Sequence, residues 1–269
     1  MKLRYCIRER VEIMDMNGKM ILVVDDELDL REIIASEFEF QGAKVFQAEN
    51  VSAAIKVLES NSIDLVISDI RMPGATGIDL LDIIKTKNII IPPIILITGF
   101  ADITLEDAFN RGAEALINKP FKLDDLIETS FRLLQAPSER WAGEITESKE
   151  KLSLSFKEKF SDVIGRGDLL VGRGGVSVHF DGIKDRIDVN DRIEFEFMFS
   201  DITVSGVGVC RWVRGYETEN RTTTYLGLEF YYLKKQSLEL VSHLIGQNKT
   251  LSFIPAQSQI RYLRSQWQL

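Results

Sequence analysis

The chain has 269 residues, of which 45% are hydrophobic and 28% charged, and its formal net charge is −8. This length allows two domains of ordinary size, each with its own apolar core. No apolar run reaches the roughly 20 residues that cross a bilayer, so membrane insertion is not expected. The two cysteines, Cys6 and Cys210, lie far apart, which excludes a disulfide framework and makes the cytoplasm the expected compartment.

The charge is unevenly distributed along the chain. Residues 1–150 carry 17 Lys and Arg against 27 Asp and Glu, a net charge of −10. Residues 151–269 carry 16 against 14, a net charge of +2. Neither half has the strongly basic balance on which nucleic-acid binding depends, so a nucleic-acid partner is not expected.

Residues 19–135 alternate short apolar runs with helical patterns, after an N-terminal extension of residues 1–18 to which no function is assigned. The predicted strands are ILVV (21–24), KVFQAE (44–49), LVIS (65–68), IILI (94–97) and ALIN (115–118). Strand–helix alternation predicts a parallel sheet covered on both faces. Five strands and five helices fit a doubly wound α/β domain, in which ligands bind at the carboxyl ends of the strands.

Polar residues follow four of these apolar runs. Asp25 and Asp26 come directly after the first run, and Asp69, Thr98 and Lys119 follow the third, fourth and fifth. Parallel strands bring all these positions to one edge of the sheet. The sequence therefore predicts a cleft that contains three carboxylates, a hydroxyl and an ammonium group.

Clustered carboxylates repel one another unless a cation lies between them, and their hard oxygen atoms suit Mg²⁺. An aspartate beside Mg²⁺ can act as a nucleophile toward a phosphoryl group and form an aspartyl-phosphate. The metal and a lysine would neutralise the charge on the transferring oxygens. The alternative is that each acidic residue only caps a helix. This would account for Asp25 alone, but it accounts poorly for polar residues at four strand ends.

The motifs VVDDE, SDIRMPGATG, LITGF and INKPF resemble the receiver domain of two-component response regulators, over about 115 residues. The resemblance implies a flavodoxin-like (βα)5 fold, with Asp69 as the phosphoacceptor. It also implies that Thr98 and Lys119 contact the phosphoryl oxygens and that the Lys119–Pro120 peptide bond is cis.

The same resemblance implies a Mg²⁺ site. Asp26 and Asp69 would bind the ion directly, Asp25 through a water molecule, and Arg71 through its backbone carbonyl. The expected partner is a histidine kinase or a phosphotransfer protein.

One position departs from the receiver pattern. Receivers usually place Tyr or Phe three residues before the lysine, as a switch residue, whereas this chain has Leu116. Either the coupling passes through another residue such as Phe100, or switching is weaker than usual. A leucine simply packed in the core is the other interpretation.

Residues 136–152 are interpreted as a linker, with a short helix that continues to the next domain as the alternative, and Trp141 is expected to be exposed. Residues 153–269 change to strand patterns, with predicted turns at Asp181-Gly182, Ser200-Asp201 and Gly215, followed by a helical pattern at 234–247. The segment VCRWVRGYETENRTTTYLGLEF and the helix after it resemble a PilZ domain, a receptor for cyclic di-GMP. This implies an all-β second domain, an antiparallel barrel with a C-terminal helix.

The stretch GRGDLLVGRGGVSVHF (165–180) departs from the PilZ nucleotide motif, of which only Gly175 is kept. We expect its glycines to shape a strand turn and its arginines to face solvent. An altered nucleotide site that uses Arg166 and Arg173 stays open as the alternative.

These patterns favour a phosphorylation-controlled regulator whose second domain acts on an unidentified output protein. A dual-input receptor for cyclic di-GMP and a β-type DNA-binding regulator are the alternatives, and cyclic di-GMP is not expected to bind. Beyond the transfer of a phosphoryl group to itself and its slow hydrolysis, no enzyme activity is expected. Homodimerisation through the receiver stays open.

Overall fold

The computed structural model describes residues 14–88, 90–99, 103–142, 148–182, 187–218, 221–247 and 252–256. Most of the N-terminal extension and Phe100 lie outside these residues. Met14 and Met16 are described, and Met16 is buried, with its amide donating to the carbonyl of Gln41 at 2.9 Å.

The first domain contains a five-stranded parallel sheet among the described residues. Its strands are β1 (Met20–Val24), β2 (Lys44–Ala48), β3 (Leu65–Asp69), β4 (Ile94–Thr98) and β5 (Ala115–Asn118), in the order β2-β1-β3-β4-β5. The helices are α1 (Leu28–Phe40), α2 (Val51–Ser60), α3 (Gly77–Lys87), α4 (Leu105–Arg111) and α5 (Leu123–Leu134). The predicted parallel α/β domain is confirmed.

Local capping explains where several of these helices begin. A reciprocal capping box starts α3, in which Thr76 and Asp79 each bind the backbone of the other. The Thr104 hydroxyl accepts from the amide of Asp107 at the start of α4. Gly112 ends α4 at a φ of 100°, a left-handed conformation that glycine adopts without strain.

The three central strands β1, β3 and β4 are buried on both faces, as expected of a parallel sheet covered by helices. Leu22, Val66 and Leu96 belong to one apolar cluster, and Ile21, Ile67 and Ile97 belong to the other. The second of these clusters also contains Trp212, Phe253, Ile254 and Ala256 from the C-terminal half of the chain. The two halves therefore share part of one core.

The connection between the halves is more ordered than a polar linker. A short helix, α6 (Pro137–Arg140), precedes Trp141, which is 1% exposed and packs edge-on against the ring of Phe230 at 5.4 Å. The expectation of an exposed Trp141 is wrong, because the second domain supplies an apolar surface that the local sequence does not reveal.

The second domain contains a six-stranded sheet among the described residues, in the order β6-β9-β10-β11-β8-β7. Its strands are β6 (Glu150–Ser155), β7 (Leu169–Val171), β8 (Gly175–Asp181), β9 (Arg192–Met198), β10 (Thr203–Thr218) and β11 (Arg221–Leu233). Two helices accompany it, α7 (Phe160–Arg166) and α8 (Lys235–Gln247), and residues of α8 pack on the apolar cluster of the sheet.

Two features of this sheet differ from the sequence-based expectation. It is mixed rather than antiparallel, because β6 pairs in parallel with β9 and begins at Glu150, inside the predicted linker. Gly215 is not a turn, because β10 runs through it in register with Thr224 of β11. Within the described residues, β6 and β7 stand at opposite edges, so closure into a barrel is not seen.

Candidate phosphoacceptor site

The carboxyl edge of the parallel sheet brings together the acidic and basic groups that the sequence predicts. Lys119 follows β5, and its Nζ lies 2.6 Å from Oδ1 of Asp69 and 3.3 Å from Oδ2 of Asp25. Asp69 is 4% and Asp25 1% exposed, whereas the side chain of Asp26 is exposed. The ammonium group thus bridges two carboxylates that come from different strands.

Backbone donors hold both buried carboxylates in place. The amide of Arg71 donates to Oδ2 of Asp69 at 2.6 Å, and the amide of Glu27 donates to Oδ1 of Asp25 at 2.8 Å. Burial raises the pKa of Asp25, against the lowering effect of the Glu27 amide and Lys119. Each carboxylate keeps one oxygen toward Lys119.

Thr98 completes the edge at the end of β4, where it is buried. Its carbonyl accepts from the amide of Lys119 at 2.7 Å, which ties β4 to the chain after β5. The Lys119–Pro120 bond is cis, as the receiver resemblance implies. Burial alone would lower the pKa of Lys119, but its hydrogen bond to Asp69 and the charge of Asp25 raise it.

The donor chemistry of this edge suits Mg²⁺, since carboxylate and carbonyl oxygens are the ligands that the ion prefers. These side chains do not form a preassembled metal site in this structure. Among the residues that the structure describes, no three acidic, histidine or cysteine side chains are grouped for one ion. Lys119 bridges Asp25 and Asp69, and Asp26 faces solvent.

Gly77 is a site residue that the sequence analysis missed. It begins α3, and a Cβ added there would lie 2.2 Å from the carbonyl oxygen of Asp69. Its amide donates to the carbonyl of Ile70 at 3.0 Å, so α3 starts directly against the end of β3. The last glycine of the motif GATG is the sequence signal that could have identified this position.

We expect Gly77→Ala to reduce phosphorylation of Asp69 strongly, because the added methyl group displaces the backbone that carries the acceptor. The measurement is the initial rate of phosphate incorporation from acetyl phosphate. Gly165→Ala is the matched control, since an added Cβ there meets nothing within 4 Å. Equal rates for the two variants would contradict the positioning role of Gly77.

Leu116, which stands at the usual switch position, lies on β5 in register with Leu96 and is half-buried. It lines a cavity of about 680 Å³ between the two domains. Gly99, Phe109 and Arg132 of the first domain also line this cavity, as does Arg211 of the second. Leu116 therefore packs partly against one apolar cluster of the receiver and also lines this cavity.

Comparison with known proteins identifies the family of the first domain. Residues 21–130 match the family described as response regulator receiver domain. This part of the chain is therefore a response regulator receiver domain. The two-component system is thus the class of signalling pathway to which this part of the chain belongs.

Three curated relatives illustrate the likeness. The chain is 36% identical over 115 residues to the phosphate regulon transcriptional regulatory protein PhoB of Pseudomonas aeruginosa, covering 42% of this chain and 50% of that protein. It is 34% identical over 138 residues to the regulatory protein AtoC of Escherichia coli, covering 51% and 29%. It is 37% identical over 112 residues to the transcriptional regulatory protein CrdR of Helicobacter pylori, covering 41% and 52%. The chain spans about half or less of the length of these relatives.

A solved structure of the response regulator protein TrrA from Thermotoga maritima, in complex with Mg²⁺ and BeF, is also similar. It is 35% identical and covers 43% of this chain and 98% of that one, with a TM-score of 0.39.

The two arginines of the GRGDLLVGRGG stretch lie in different environments. Arg166, at the end of α7, is exposed and pairs with Asp168 at 2.9 Å and Glu158 at 3.1 Å. Arg173 is 6% exposed, and its guanidinium donates to Glu114 of the receiver at 2.6 Å and to the carbonyl of Gly112 at 2.9 Å. The expectation of a solvated Arg173 is wrong, because the receiver covers it.

Glu114 is the centre of a buried ionic cluster that joins the domains. Its Oε1 accepts from Lys85 at 2.8 Å as well as from Arg173, and its Oε2 accepts from the amide of Ile94 at 2.7 Å. Burial lowers the pKa of Lys85 to about 8, against the raising effect of Glu114. Arg173 of the second domain thus forms an ion pair with a carboxylate of the receiver.

A second buried cluster lies on β11. Glu229 is 2% exposed and pairs with Arg132 of α5 and with Arg211 of β10, the latter at 2.6 Å. Burial alone would raise the pKa of Glu229, but the two guanidinium groups hold it below its usual value. Arg214 of β10 also pairs with Glu106 of α4. The sequence signal for this interface was Glu229 itself, a charged residue inside the apolar strand LGLEF.

Proposed function

We propose that this protein is a phosphorylation-controlled response regulator in which Asp69 accepts a phosphoryl group from a histidine kinase or phosphotransfer protein. The observation that carries the proposal is the buried pair of Asp69 and Lys119 at the carboxyl edge of the receiver sheet, 2.6 Å apart. In this pair the acceptor carboxylate and the cation that can bind a phosphoryl oxygen are already in place.

A carboxylate oxygen of Asp69 attacks the phosphorus, and the bond from phosphorus to the donor's imidazole nitrogen breaks as the aspartyl-phosphate forms. Lys119 would hold one phosphoryl oxygen, and the hydroxyl of Thr98, the last residue of β4, would bind another. Hydrolysis of the acyl phosphate by water returns the carboxylate. These two steps are the chemistry that we propose for the receiver.

Asp25, Asp26, Asp69 and the carbonyl of Arg71 are the residues that would hold Mg²⁺. When bound, the ion supplies positive charge that offsets the repulsion between the carboxylates and the incoming phosphoryl oxygens. Asp26 is exposed and lies two residues after the end of β1, at the same edge of the sheet. Lys119, which bridges Asp25 and Asp69, has to share these two carboxylates with the ion.

We propose further that the second domain is the output and that it acts on another protein. Its resemblance to PilZ domains supports this assignment over a DNA-binding one, together with its net charge of +2. PhoB and CrdR are transcriptional regulators by name. The family match of this chain ends at residue 130, before the second domain begins.

The alternative of a dual-input receptor that uses Arg166 and Arg173 for cyclic di-GMP has less support. Arg173 is engaged with Glu114 and Gly112 beneath the receiver, and Arg166 pairs with acids of its own domain. A nucleotide would have to compete with the receiver for Arg173. Calorimetric titration of cyclic di-GMP into the full chain tests this alternative, and measurable heat would favour it.

The proposed function is tested by incubating the full chain with acetyl phosphate and Mg²⁺ and measuring the intact mass. We expect one phosphoryl group per chain, which hydroxylamine removes because it cleaves acyl phosphates. Digestion and peptide mapping should place the group on Asp69. A protein that takes up no phosphate, or takes it up at another residue, would overturn the proposal.

A further inference from the structure

The cavity of about 680 Å³ that Leu116 lines lies between the receiver and the second domain, and we call it the interdomain cavity. Leu116 and Ile117 of β5 give it an apolar wall on the receiver side, and Val189 lines it from the second domain. Proteins bind small organic molecules in cavities of about 300–1,000 Å³ with mostly apolar walls and a few polar groups. The interdomain cavity therefore has the size and the walls of a ligand site.

The charged side chains that line the cavity, among the described residues, are Arg132 of α5, Arg211 of β10 and Glu229 of β11. Arg132 pairs with Oε1 of Glu229, and Arg211 pairs with Oε2 at 2.6 Å. One guanidinium group from each domain is thus held beside the other by a single carboxylate. Two positive charges stand against one negative charge, so the cavity favours an anion.

Both guanidinium groups keep hydrogen-bond donors that Glu229 does not use. Within the part of the chain that the structure describes, the Arg132 side chain donates through Nη1 alone, and the Arg211 side chain donates through Nε and Nη1. These side chains are 25% and 24% exposed, whereas that of Glu229 is 3% exposed. Glu229 thus anchors the arginines from the buried side, and Nη2 of each has no acceptor among these residues.

Asn190 holds Arg211 in place from a backbone conformation that few residues adopt. Its φ is 73°, and among the described residues it is the only non-glycine residue with a positive φ. Its Oδ1 accepts from Nη1 of Arg211 at 2.8 Å, and its amide donates to the carbonyl of Cys210 at 2.7 Å. Asparagine tolerates this left-handed conformation better than most residues, and such conformations cluster at ligand sites. The turn before β9 therefore fixes one of the two arginines at the cavity.

The remaining donors suit a phosphate group better than a carboxylate. Arginine binds both anions through paired N–H groups. A phosphate monoester presents three strong acceptor oxygens, so it can meet donors from two separate guanidinium groups at once. Thr129 and Asn118 also line the cavity and can donate to phosphate oxygens. The apolar wall at Leu116 and Ile117 suits the organic part of such an ester.

We propose that the interdomain cavity is a binding site for a small organic phosphate, held by Arg132 of the receiver and Arg211 of the second domain. The phosphate accepts from the N–H groups that Glu229 leaves unused, and the organic part lies against the apolar wall. The ligand thereby contacts both domains. The site goes beyond the proposed function, because it needs neither Mg²⁺ nor a phosphoryl group on Asp69.

The probe for this site is phenyl phosphate, titrated by calorimetry into the full chain without Mg²⁺. Phenyl phosphate combines a phosphate monoester with an apolar ring. Inorganic phosphate lacks the ring, and benzoate carries a carboxylate in place of the phosphate. We expect phenyl phosphate to bind at one site per chain, and more tightly than inorganic phosphate or benzoate.

Thr129→Glu and Thr129→Gln form a matched pair of variants. Thr129 is half-buried on α5, one turn before Arg132, and lines the cavity. The carboxylate of Thr129→Glu repels phosphate and can pair with Arg132, so we expect the affinity for phenyl phosphate to fall roughly 10-fold or more. Thr129→Gln has the same size without the charge and should bind like the original chain.

Arg211→Lys is an independent variant. Lysine keeps a positive charge for Glu229 but loses the forked N–H groups, so binding of phenyl phosphate should weaken by a similar factor of roughly 10. If this variant does not fold, the two Thr129 variants decide the result.

Three results would overturn the proposal. The first is the absence of heat when phenyl phosphate is added to the original chain. The second is equal affinity of Thr129→Glu and Thr129→Gln, which would place the ligand elsewhere on the protein. The third is tighter binding of benzoate than of phenyl phosphate, which would exclude a phosphate-specific site. Asp69→Asn should bind phenyl phosphate like the original chain, so this site and the phosphoacceptor site stand or fall separately.

Discussion

Asp69→Asn should reduce phosphate incorporation from acetyl phosphate to background while the protein keeps its fold. The side chain of Asn has the shape of the carboxylate, and its oxygen can still accept from the backbone amide of Arg71. The nitrogen of that amide lies 2.6 Å from Oδ2 of Asp69. The Asn side chain is not a nucleophile toward phosphorus, and it carries no charge to pair with Lys119. The measurement is intact mass after incubation with acetyl phosphate and Mg²⁺, with circular dichroism to verify folding.

Asp124→Asn is the matched control for this variant. Asp124 lies in the first turn of α5 and is exposed, so the same chemical change there should leave phosphorylation at the level of the original chain. Phosphate uptake by Asp69→Asn at the level of the control would show that the acceptor is elsewhere.

Glu229→Ala should lower the free energy of unfolding by about 3 kcal/mol, the lower end for removing one partner of a buried ion pair, because the Arg132 and Arg211 side chains are 25% and 24% exposed. Glu229 is 2% exposed and carries the only carboxylate that the described residues place against both Arg132 and Arg211. Its removal leaves one guanidinium of the receiver and one of the second domain without their counter-charge. Urea denaturation followed by tryptophan fluorescence measures the change.

Two controls make this prediction specific. Glu196→Ala changes a β9 carboxylate whose nearest lysine nitrogen, that of Lys151, is 3.9 Å away, and it should cost less than about 1 kcal/mol. Replacing Glu229, Arg132 and Arg211 together by Met should cost far less than Glu229→Ala, because no buried charge is then left unpaired. A small effect of Glu229→Ala would contradict the view that this cluster stabilises the docked domains.

The pH dependence of stability gives an independent check on Glu229. Its pKa in the folded protein lies below the ordinary value of 4.5, so the folded state binds this proton less readily than the unfolded state. Its stabilising contribution is therefore complete above about pH 4.5 and is lost as the pH falls through the folded pKa. Glu229→Ala should flatten the stability curve in this acidic range, relative to Glu196→Ala.

The receiver domain was predictable from sequence because its signals are local. Buried parallel strands appear as continuous apolar runs, and each functional side chain directly follows such a run. The sequence predicts Asp25, Asp26, Asp69, Thr98 and Lys119 at one edge, and in the structure Lys119 contacts Asp25 and Asp69 there. Gly77 was missed, because its role depends on a contact with the carbonyl of Asp69 and not on its own neighbours in sequence.

The second domain was predictable only in part. Its alternating strands and the apolar face of α8 were confirmed, whereas the parallel pairing of β6 with β9 was not foreseen. Strand order and direction depend on which segments meet in space, and alternation of apolar residues does not encode that. The barrel closure that the PilZ resemblance implies is likewise a property of long-range pairing.

The sequence by itself determined the α/β receiver, the polar residues at the carboxyl edge of its sheet and the β-rich character of the second half, since each follows from periodicity and from residues adjacent to strands. Only the tertiary structure decided what the arginines at 165–175 do. Arg173 and Trp141 lie in short stretches whose sequence is equally compatible with solvent. They are buried because another domain, distant in sequence, lies against them, and that contact is made by folding rather than by local pattern.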